Sequence, residues 1–284
     1  MNDVNRPVIE EFRANGGRVG GMFEGASLVL LTTTGARSGR AHTTPLGSMT
    51  EGGRLFVFAS NAGRDANPAW YANIRRDPRV TVETGAETYA GAALPVEAAE
   101  RDRLYALQAE RVPPYAEYQK MTDRVIPVVE LVRAGDARGG PVGSLLLSVH
   151  AELRADLAAL RDDVLAALDG RAPAPDLAAQ LRARCRTVCD ALGEHHDNEE
   201  TRGFPGVGAA FPGLAPVLER LRREHVAVTR LRGDLAGLLD ALGTADPAVV
   251  RAGLDRITAD LDAHFAYEEE QLVAVLDAAL PRRS

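Results

Sequence analysis

The chain of 284 residues has two cysteines, one lysine and no long hydrophobic run. Because no stretch approaches the roughly 18 apolar residues of a membrane helix, we expect no membrane span. No basic segment followed by an apolar run opens the chain, so we expect no secretory leader and a cytoplasmic protein. The formal net charge of −7 argues against a general nucleic-acid binder. Cys185 and Cys189 are spaced as reduced neighbours on one helix rather than as a disulfide.

Two common phosphate-binding motifs are absent as well. No G-x-G-x-x-G sequence follows a predicted strand, and residues 35–39 (GARSG) lack the lysine of a P-loop. The first half of the chain contains no nucleophile beside a base and no pair of carboxylates at a catalytic spacing. These absences argue against a Rossmann or P-loop site.

Length and a glycine-rich stretch predict two domains. A chain of this length exceeds a single small core. Residues 134–142 (AGDARGGPV) cannot readily continue a strand or a helix. We therefore predict a domain at residues 1–133, a linker at 134–142 and a second domain at 143–284.

The first half alternates short β-branched runs with helical spacing, which is typical of an α+β domain. The runs end at Gly, Asp or Pro, and they predict strands. Hairpin-length connections at residues 35–39 and 51–53 favour a mainly antiparallel barrel with helices outside it. The predicted strands are residues 27–34, 54–59, 79–84 and 125–132, and the predicted helices are residues 68–76 and 98–111.

The second half carries four apolar stripes at helical spacing, and each stripe includes a histidine. Two of these histidines are followed four residues later by a glutamate, which places both side chains on one helix face. The stripes predict an all-α four-helix bundle whose interior holds six potential metal ligands. These ligands are His150, His195, Glu199, His225, His264 and Glu268.

Two arguments decide which side chains point inward. His195 continues the stripe through Val188, Leu192 and Glu199, so we interpret His195 rather than its neighbour His196 as the inward residue. Any single histidine is more simply explained as a core residue with a hydrogen-bond partner. Buried carboxylates without partners cost several kcal/mol each, however, so two glutamates among four histidines favour a divalent metal site.

This order of residues, a lone His, His-x-x-x-Glu, a lone His and a second His-x-x-x-Glu, resembles the hemerythrin-like family. The resemblance covers residues 143–280 and includes Phe204 and Pro205. It implies two iron ions in an up-and-down bundle, although manganese or zinc suits the same ligands. Oxygen-carrying members usually have a second histidine on the third helix, where this chain has Thr229 one turn after His225. That departure implies an open coordination position on one iron, which favours reactivity over oxygen carriage.

Residues 35–40 (GARSGR) form a candidate anion site in the first half. Glycines let backbone N–H groups converge, and Arg37 and Arg40 supply charge and forked donors. A plain hairpin turn with exposed arginines explains the same residues.

The surrounding sequence blocks resemble, in order, the deazaflavin-dependent nitroreductase and quinone reductase family. The resemblance spans about residues 8–133. It implies a split β-barrel that holds coenzyme F420, a deazaflavin whose tail carries a phosphate and glutamates. The blocks are residues 32–40 (TTTGARSGR), 44–46 (TPL), 59–63 (ASNAG), 67–73 (NPAWYAN), 77–80 (DPRV), 115–119 (YAEYQ) and 122–127 (TDRVIP).

The resemblance implies contacts to both ends of the cofactor. The implied contacts to the anionic tail are Arg37 and Ser38, with Arg40 nearby. The implied contacts to the deazaflavin ring are Thr44, Pro45 and Leu46.

Two further blocks are implied to border the cofactor. Ser60 and Asn61 occupy a block in which the family often has a second basic residue, and Arg64 is a candidate substitute for that charge. Trp70 and Tyr71 are implied to pack along the cofactor channel, although an aromatic pair in the core explains them equally simply.

Two tyrosines are implied to lie on the substrate side. Tyr115 and Tyr118 match family tyrosines and are the candidate catalytic residues. A third family tyrosine is replaced by Val112, so nitroaromatic reduction does not follow from the resemblance. Hydride transfer from a deazaflavin needs no side-chain nucleophile, because the protein only positions the acceptor.

Together the halves predict an F420H2-dependent oxidoreductase that carries a hemerythrin-like bundle with two iron ions. We expect it to pass reducing equivalents to a small oxidant, O2 or a quinone, and to form a homodimer through the barrel. One difficulty is that deazaflavins are poor one-electron donors, so the path to iron requires direct hydride transfer or a mediator. Two alternatives are an F420H2-dependent quinone or nitro-compound reductase whose bundle senses oxygen or iron, and a non-enzymatic iron or oxygen binding protein.

Overall fold

The computed structural model describes residues 5–134, 141–170, 177–242 and 244–279. The chain divides into two compact units. One comprises residues 1–136 and Phe211–Gly213, and the other comprises residues 137–210 and 214–284. Most of the expected linker, residues 135–140, lies outside the described residues, and the first bundle helix already begins at Pro141.

Six strands of the first unit form a closed barrel in which every pair of neighbours is antiparallel. The order around the barrel is β1, β2, β3, β6, β5, β4. The strands are β1 (Leu28–Thr34), β2 (Ala41–Glu51), β3 (Arg54–Phe58), β4 (Arg79–Glu83), β5 (Thr88–Pro95) and β6 (Val128–Arg133). The predicted antiparallel barrel is therefore confirmed.

Strands β2 and β5 lie outside the four predicted strands. β2 contains Thr, Pro and Gly and is half-buried along most of its length, so it lacks the apolar run that marks the others. β5 contains small residues, Ala and Gly, in its buried part. Both strands are held by ladder hydrogen bonds to their neighbours rather than by their own propensity. β6 begins at Val128, three residues later than the predicted run, after Pro127, which has no N–H to donate.

Helices cover the barrel because its strands bury side chains on both faces. On β1, Val29 and Leu31 pack with Trp70, whereas Leu28 and Leu30 pack with Phe12. The four helices of this unit are α1 (Arg6–Ala14), α2 (Ala69–Arg76), α3 (Ala98–Arg111) and α4 (Pro114–Lys120).

The second unit is a ring of four long helices, as predicted. α5 packs against α6 and α9, and α8 packs against the same two helices. A short helix, α7, lies between α6 and α8. The bounds are α5 (Pro141–Leu168), α6 (Leu177–Asn198), α7 (Phe204–Ala210), α8 (Ala215–Asp240) and α9 (Pro247–Ala279). Within the described residues, no helix has the length and apolarity needed to cross a membrane.

A substitution at Gly91 tests how closely β5 and β6 must approach for the barrel to close. A Cβ at this position would lie 2.3 Å from the carbonyl oxygen of Val132 on β6, so Gly91→Ala should push β5 and β6 apart. We expect the free energy of unfolding to fall by roughly 1–3 kcal/mol. Urea unfolding followed by fluorescence measures this, because Trp70, the single tryptophan, is buried in the barrel. The control Ala90→Ser adds one atom to an exposed site on the same strand, and equal midpoints for both variants would contradict the prediction.

Candidate metal centre and cofactor site

The bundle brings seven potential metal ligands together in two groups. Within each group, one ligand atom from every residue lies within 4.8 Å of the others. All six ligands predicted from the sequence are present, and one more joins them. The three-histidine group is His196, His225 and His264, and the mixed group is His150, His195, Glu199 and Glu268.

His196 is the added residue, and its interpretation as an outward side chain was wrong. It is buried, its ring stacks on His225 with centroids 4.0 Å apart, and its Nε2 lies 3.3 Å from His264 Nε2. Adjacent residues on a helix point about 100° apart. Since α6 packs between α5 and α8, His195 can face His150 while His196 faces α8 and α9.

The nitrogen expected to be missing from the third helix is thus supplied by α6. Thr229 makes no ligand, because its hydroxyl donates to the carbonyl oxygen of His225 at 3.0 Å. His196 takes the third position beside His225 and His264. An imidazole is therefore available where the sequence predicts an open position.

Three carboxylates outside the two groups orient the imidazoles. The Nδ1–H of His150 donates to Glu269 (2.8 Å), that of His225 to Glu200 (2.9 Å) and that of His264 to Glu224 (3.1 Å). A carboxylate partner on Nδ1 leaves Nε2 as the unprotonated nitrogen, which is the form that binds a metal. Sequence reasoning missed these glutamates, although each stands next to a predicted ligand in the chain.

Each of these outer carboxylates also pairs with an arginine. The contacts are Arg154 Nη1 to Glu269 (2.7 Å), Arg222 Nε to Glu200 (3.2 Å) and Arg220 Nε to Glu224 (2.7 Å). Burial alone would raise the pKa of Glu269, but hydrogen bonds from Arg154 and His150 outweigh it and lower that pKa. Hydrogen bonds from His264 and Arg220 likewise outweigh burial and lower the pKa of Glu224, so Glu269 and Glu224 stay ionised and keep their imidazoles aligned.

The inner carboxylates have the opposite environment. Glu268 is 1 % exposed, and Glu199 and Glu268 have three oxygens without a hydrogen-bond partner among the described residues. His225 Nε2 is the fourth such buried atom. Burial raises the pKa of both glutamates, because the charged forms lose solvation. A divalent cation bound by these atoms would compensate for that loss.

The imidazoles of the mixed group are suited to the same cation. Burial lowers the pKa of His150 to about 4 and that of His195 to about 3, so both are neutral near pH 7. Five imidazoles and two carboxylates form a donor set that iron, manganese and zinc accept. The residues present therefore fit a two-metal centre.

A π-helical turn, Glu199–Gly203, carries one inner carboxylate, Glu199, and one outer carboxylate, Glu200. Asn198 donates from its side chain to the carbonyl oxygen of Glu194 (2.9 Å), and Thr201 donates to that of Asp197 (2.6 Å). Both bonds are made to backbone carbonyls four residues earlier, near the end of α6. Within the turn, Glu199 belongs to the mixed group while Glu200 reaches His225.

In the barrel, a cavity of about 760 Å³, the barrel cavity, opens beside the turn between β1 and β2. Four of the predicted cofactor residues line it, and they are Arg37, Ser38, Thr44 and Trp70. The other seven, Arg40, Pro45, Leu46, Ser60, Asn61, Arg64 and Tyr71, are not among its lining residues. Leu46 and Tyr71 pack instead against the barrel core, and Asn61 donates to the carbonyl oxygen of Ala66 (2.8 Å).

Asn73 holds the turn that carries Arg37, and sequence reasoning gave it no role. Its Oδ1 accepts from the backbone N–H of Ala36 and its Nδ2 donates to Thr33 Oγ1, both at 2.9 Å. Gly35 is needed in this turn, since a Cβ there would lie 2.4 Å from Ser38 Oγ. Asn73 also lines the barrel cavity.

Arg124 similarly holds the loop that follows β3. Its guanidinium donates to the carbonyl oxygens of Ala59 (3.0 Å), Ser60 (2.6 Å) and Arg64 (2.8 Å) and to Asn67 Oδ1 (2.7 Å). Asn67 in turn lines the barrel cavity. One side chain thereby fixes the position of this wall, a role that no sequence pattern indicates.

The predicted catalytic tyrosines lie in an aromatic cluster away from the lining of the barrel cavity. Tyr115 is packed between Phe58 (5.2 Å) and Tyr118 (5.5 Å), measured between ring centroids. Its hydroxyl lies against β2, where a Cβ on Gly47 would be 2.7 Å away. Burial raises the pKa of Tyr115, so its hydroxyl stays protonated near pH 7.

Comparisons with known proteins match the two units separately. A family model described as F420H(2)-dependent quinone reductase matches residues 4–133, and one described as hemerythrin HHE cation binding domain matches residues 143–277. An F420H(2)-dependent quinone reductase of Mycobacterium tuberculosis is 35% identical over 126 residues, which is 43% of this chain and 85% of that protein. A putative F420H(2)-dependent quinone reductase of the same species is 29% identical over 103 residues, covering 36% and 87%.

Solved structures that resemble the chain cover less than half of it. One, described as an F420-H2 dependent reductase, is 40% identical, covers 37% of this chain and 93% of its own, and has a TM-score of 0.35. Another, described as a domain-swapped dimer, is 36% identical, covers 45% and 94%, and has a TM-score of 0.36. By the matches to its sequence, the chain belongs over residues 4–133 to the F420H(2)-dependent quinone reductase family and joins that domain to a hemerythrin HHE cation binding domain.

Proposed function

We propose that this protein is an F420H2-dependent oxidoreductase whose bundle holds two iron ions and reduces O2 or a related small oxidant. The observation that carries the proposal is a set of four buried polar atoms, on Glu199, His225 and Glu268, that have no hydrogen-bond partner among the described residues. Such atoms are rare in folded proteins, because each costs the desolvation of a polar or charged group. Their convergence in one core is best explained by bound cations.

The seven side chains divide naturally between two cations. His196, His225 and His264 would hold one, and His150, His195 and Glu268 the other. Glu199 lies between them, with Oε1 3.1 Å from His195 Nε2 and Oε2 3.4 Å from His225 Nε2. Two irons bound there would supply redox electrons and a coordination position for the oxidant.

Iron content tests the centre. We expect about two irons per chain, and we expect His196→Ala to lower the content as much as His195→Ala, because each removes a buried imidazole from one group. Metal analysis of protein produced in iron-rich medium provides the measurement. The control is His42→Ala, which removes the one histidine of the barrel. Full iron content in the His196 variant would contradict the ligand assignment.

The barrel cavity is the site we propose for F420. Arg37 and Ser38 would contact the anionic tail from the turn that Asn73 holds, and Thr44 and Trp70 would border the cofactor farther along. F420 bound there supplies a hydride. Tyr115 and Tyr118 are proposed to face the acceptor, and the protonated hydroxyl of Tyr115 can donate to the oxygen that gains charge.

Replacing Arg37 tests the tail site. Arg37→Ala removes a charge-assisted contact of about 1.5–3 kcal/mol, so the affinity for reduced F420 should fall by about tenfold or more. Quenching of the fluorescence of Trp70, which lines the barrel cavity, measures the affinity. Arg103→Ala, which removes an exposed arginine on α3, should leave the affinity unchanged. If Arg37→Ala binds reduced F420 as tightly as the unchanged protein does, the tail binds another arginine, such as Arg64.

Replacing Glu268 tests whether the bundle takes part in the reaction. In air, the iron-loaded chain should oxidise F420H2 rapidly, and Glu268→Gln should slow this because it removes a buried charge from the mixed group. For each variant, oxygen uptake is measured in air and quinone reduction is measured under nitrogen. Glu270→Gln, on the exposed face of α9, is the matched control. If Glu268→Gln retains both activities, the bundle is a sensor or plays no part in turnover.

A further inference from the structure

A second cavity, of about 600 Å³, lies within the bundle and reaches the mixed group. We call it the bundle cavity. Most of its lining is apolar and includes Leu146 and Val149 of α5 and Leu272 and Leu276 of α9. The polar residues Glu194, Asn198 and Arg202 also line it. At its inner end are His195, Glu199 and Glu268. It therefore joins an apolar chamber to the atoms proposed to hold metal.

The bundle cavity is too large to be explained by O2. A water molecule occupies about 30 Å³ in the liquid, and a diatomic gas needs little more. Cavities of roughly 300–1,000 Å³ instead accommodate organic molecules of the size of a cofactor fragment or a drug. Leu145, 61 % exposed, stands among the lining residues and marks an apolar part of the lining that solvent reaches.

The chemistry of the two ends of the bundle cavity indicates what kind of molecule it would bind. Apolar walls favour an aromatic or aliphatic body, and a carboxylate and imidazole end favours a hydroxyl or phenolic oxygen. A quinol combines both features. The other domain of the same chain belongs to the F420H(2)-dependent quinone reductase family, so a reaction that yields quinol takes place on this chain under the proposed function.

We propose that the bundle cavity is a quinol-binding site that delivers electrons from the barrel reaction to the metal centre. This inference rests on the proposed function. It removes the difficulty that deazaflavins are poor one-electron donors, because a quinol can lose its two electrons one at a time. Because the quinol would be released by the barrel and bound by the bundle of the same chain, its effective concentration at the bundle cavity is also raised.

The electrons and protons balance. In the barrel, F420H2 transfers a hydride to a quinone and releases one proton to solvent. The reduced quinone takes up one proton from solvent and becomes a quinol. In the bundle, two quinols return to quinones and release four electrons and four protons. These convert one O2 into two water molecules, so the quinone acts catalytically and O2 is the net oxidant.

Direct binding tests the inference without reliance on turnover. The full chain, free of metal and F420 and labelled at leucine and valine methyl groups, is titrated with 1-naphthol, a redox-stable relative of a naphthoquinol. Methyl resonances of Leu146, Leu272 and Leu276 should shift together with one saturation curve. Absence of any shift at these methyls up to the solubility of naphthol would overturn the inference, even for a chain that binds two irons.

A cavity-filling variant provides the second measurement. Leu146→Phe should weaken naphthol binding at the bundle methyls by about tenfold or more, because the added ring occupies apolar space that the probe requires. Val226→Phe, which adds the same bulk to an exposed position on α8, should leave binding unchanged. Unchanged affinity in Leu146→Phe, with its methyl spectrum otherwise intact, would overturn the assignment of the cavity.

Oxygen uptake separates failure of this inference from failure of the proposed function. In iron-loaded protein with F420H2, a small amount of 2-methyl-1,4-naphthoquinone should stimulate oxygen uptake above that of the iron-free chain. Leu146→Phe should lose the stimulation and keep naphthoquinone reduction under nitrogen. Stimulation that survives in Leu146→Phe would overturn the quinol site while the oxidase proposal stands. If naphthol binds at the bundle methyls but the chain takes up no iron when iron is supplied, the binding site stands and the oxidase proposal is rejected.

Discussion

The bundle depends on the burial of two carboxylates, Glu199 and Glu268, in a core that leaves three of their oxygen atoms without a described hydrogen-bond partner. Apolar packing on α5, α6, α8 and α9 supplies the free energy that keeps such a core closed. The unsatisfied atoms all face the same small volume as five imidazoles. A cation at the centre would compensate for this burial, which links the packing of the helices to the chemistry we propose.

Two layers of carboxylates have opposite environments around this centre. Three oxygens of the inner pair have no hydrogen-bond partner among the described residues, and burial raises the pKa of both members. The outer carboxylates each accept from a histidine and from an arginine. Because the outer layer fixes the Nδ1–H form of three imidazoles, their Nε2 atoms are aligned before any metal binds. Such preorganisation lowers the cost of assembling the centre.

The barrel uses polar side chains for a different purpose. Asn73 holds the turn that carries Arg37, and Arg124 holds the loop that carries Asn67. Neither side chain needs to react. They fix two walls of the barrel cavity, which suits a domain whose reactive group belongs to a bound cofactor. The aromatic cluster around Tyr115 forms a separate region beside β2, so the sites that we propose for the cofactor tail and for the acceptor lie in different parts of the barrel.

Alternating and helical periodicities predict the barrel, the bundle and six of the seven inward side chains, because they record which face of an element is buried. They do not reveal β2 or β5, whose Thr, Pro, Ala and Gly residues pair through backbone hydrogen bonds rather than apolar runs. That both His195 and His196 point inward is a result of how the four helices pack. One helical stripe identifies one face, whereas α6 has neighbours on two sides, and the positions of those neighbours are set by the packing of the whole bundle.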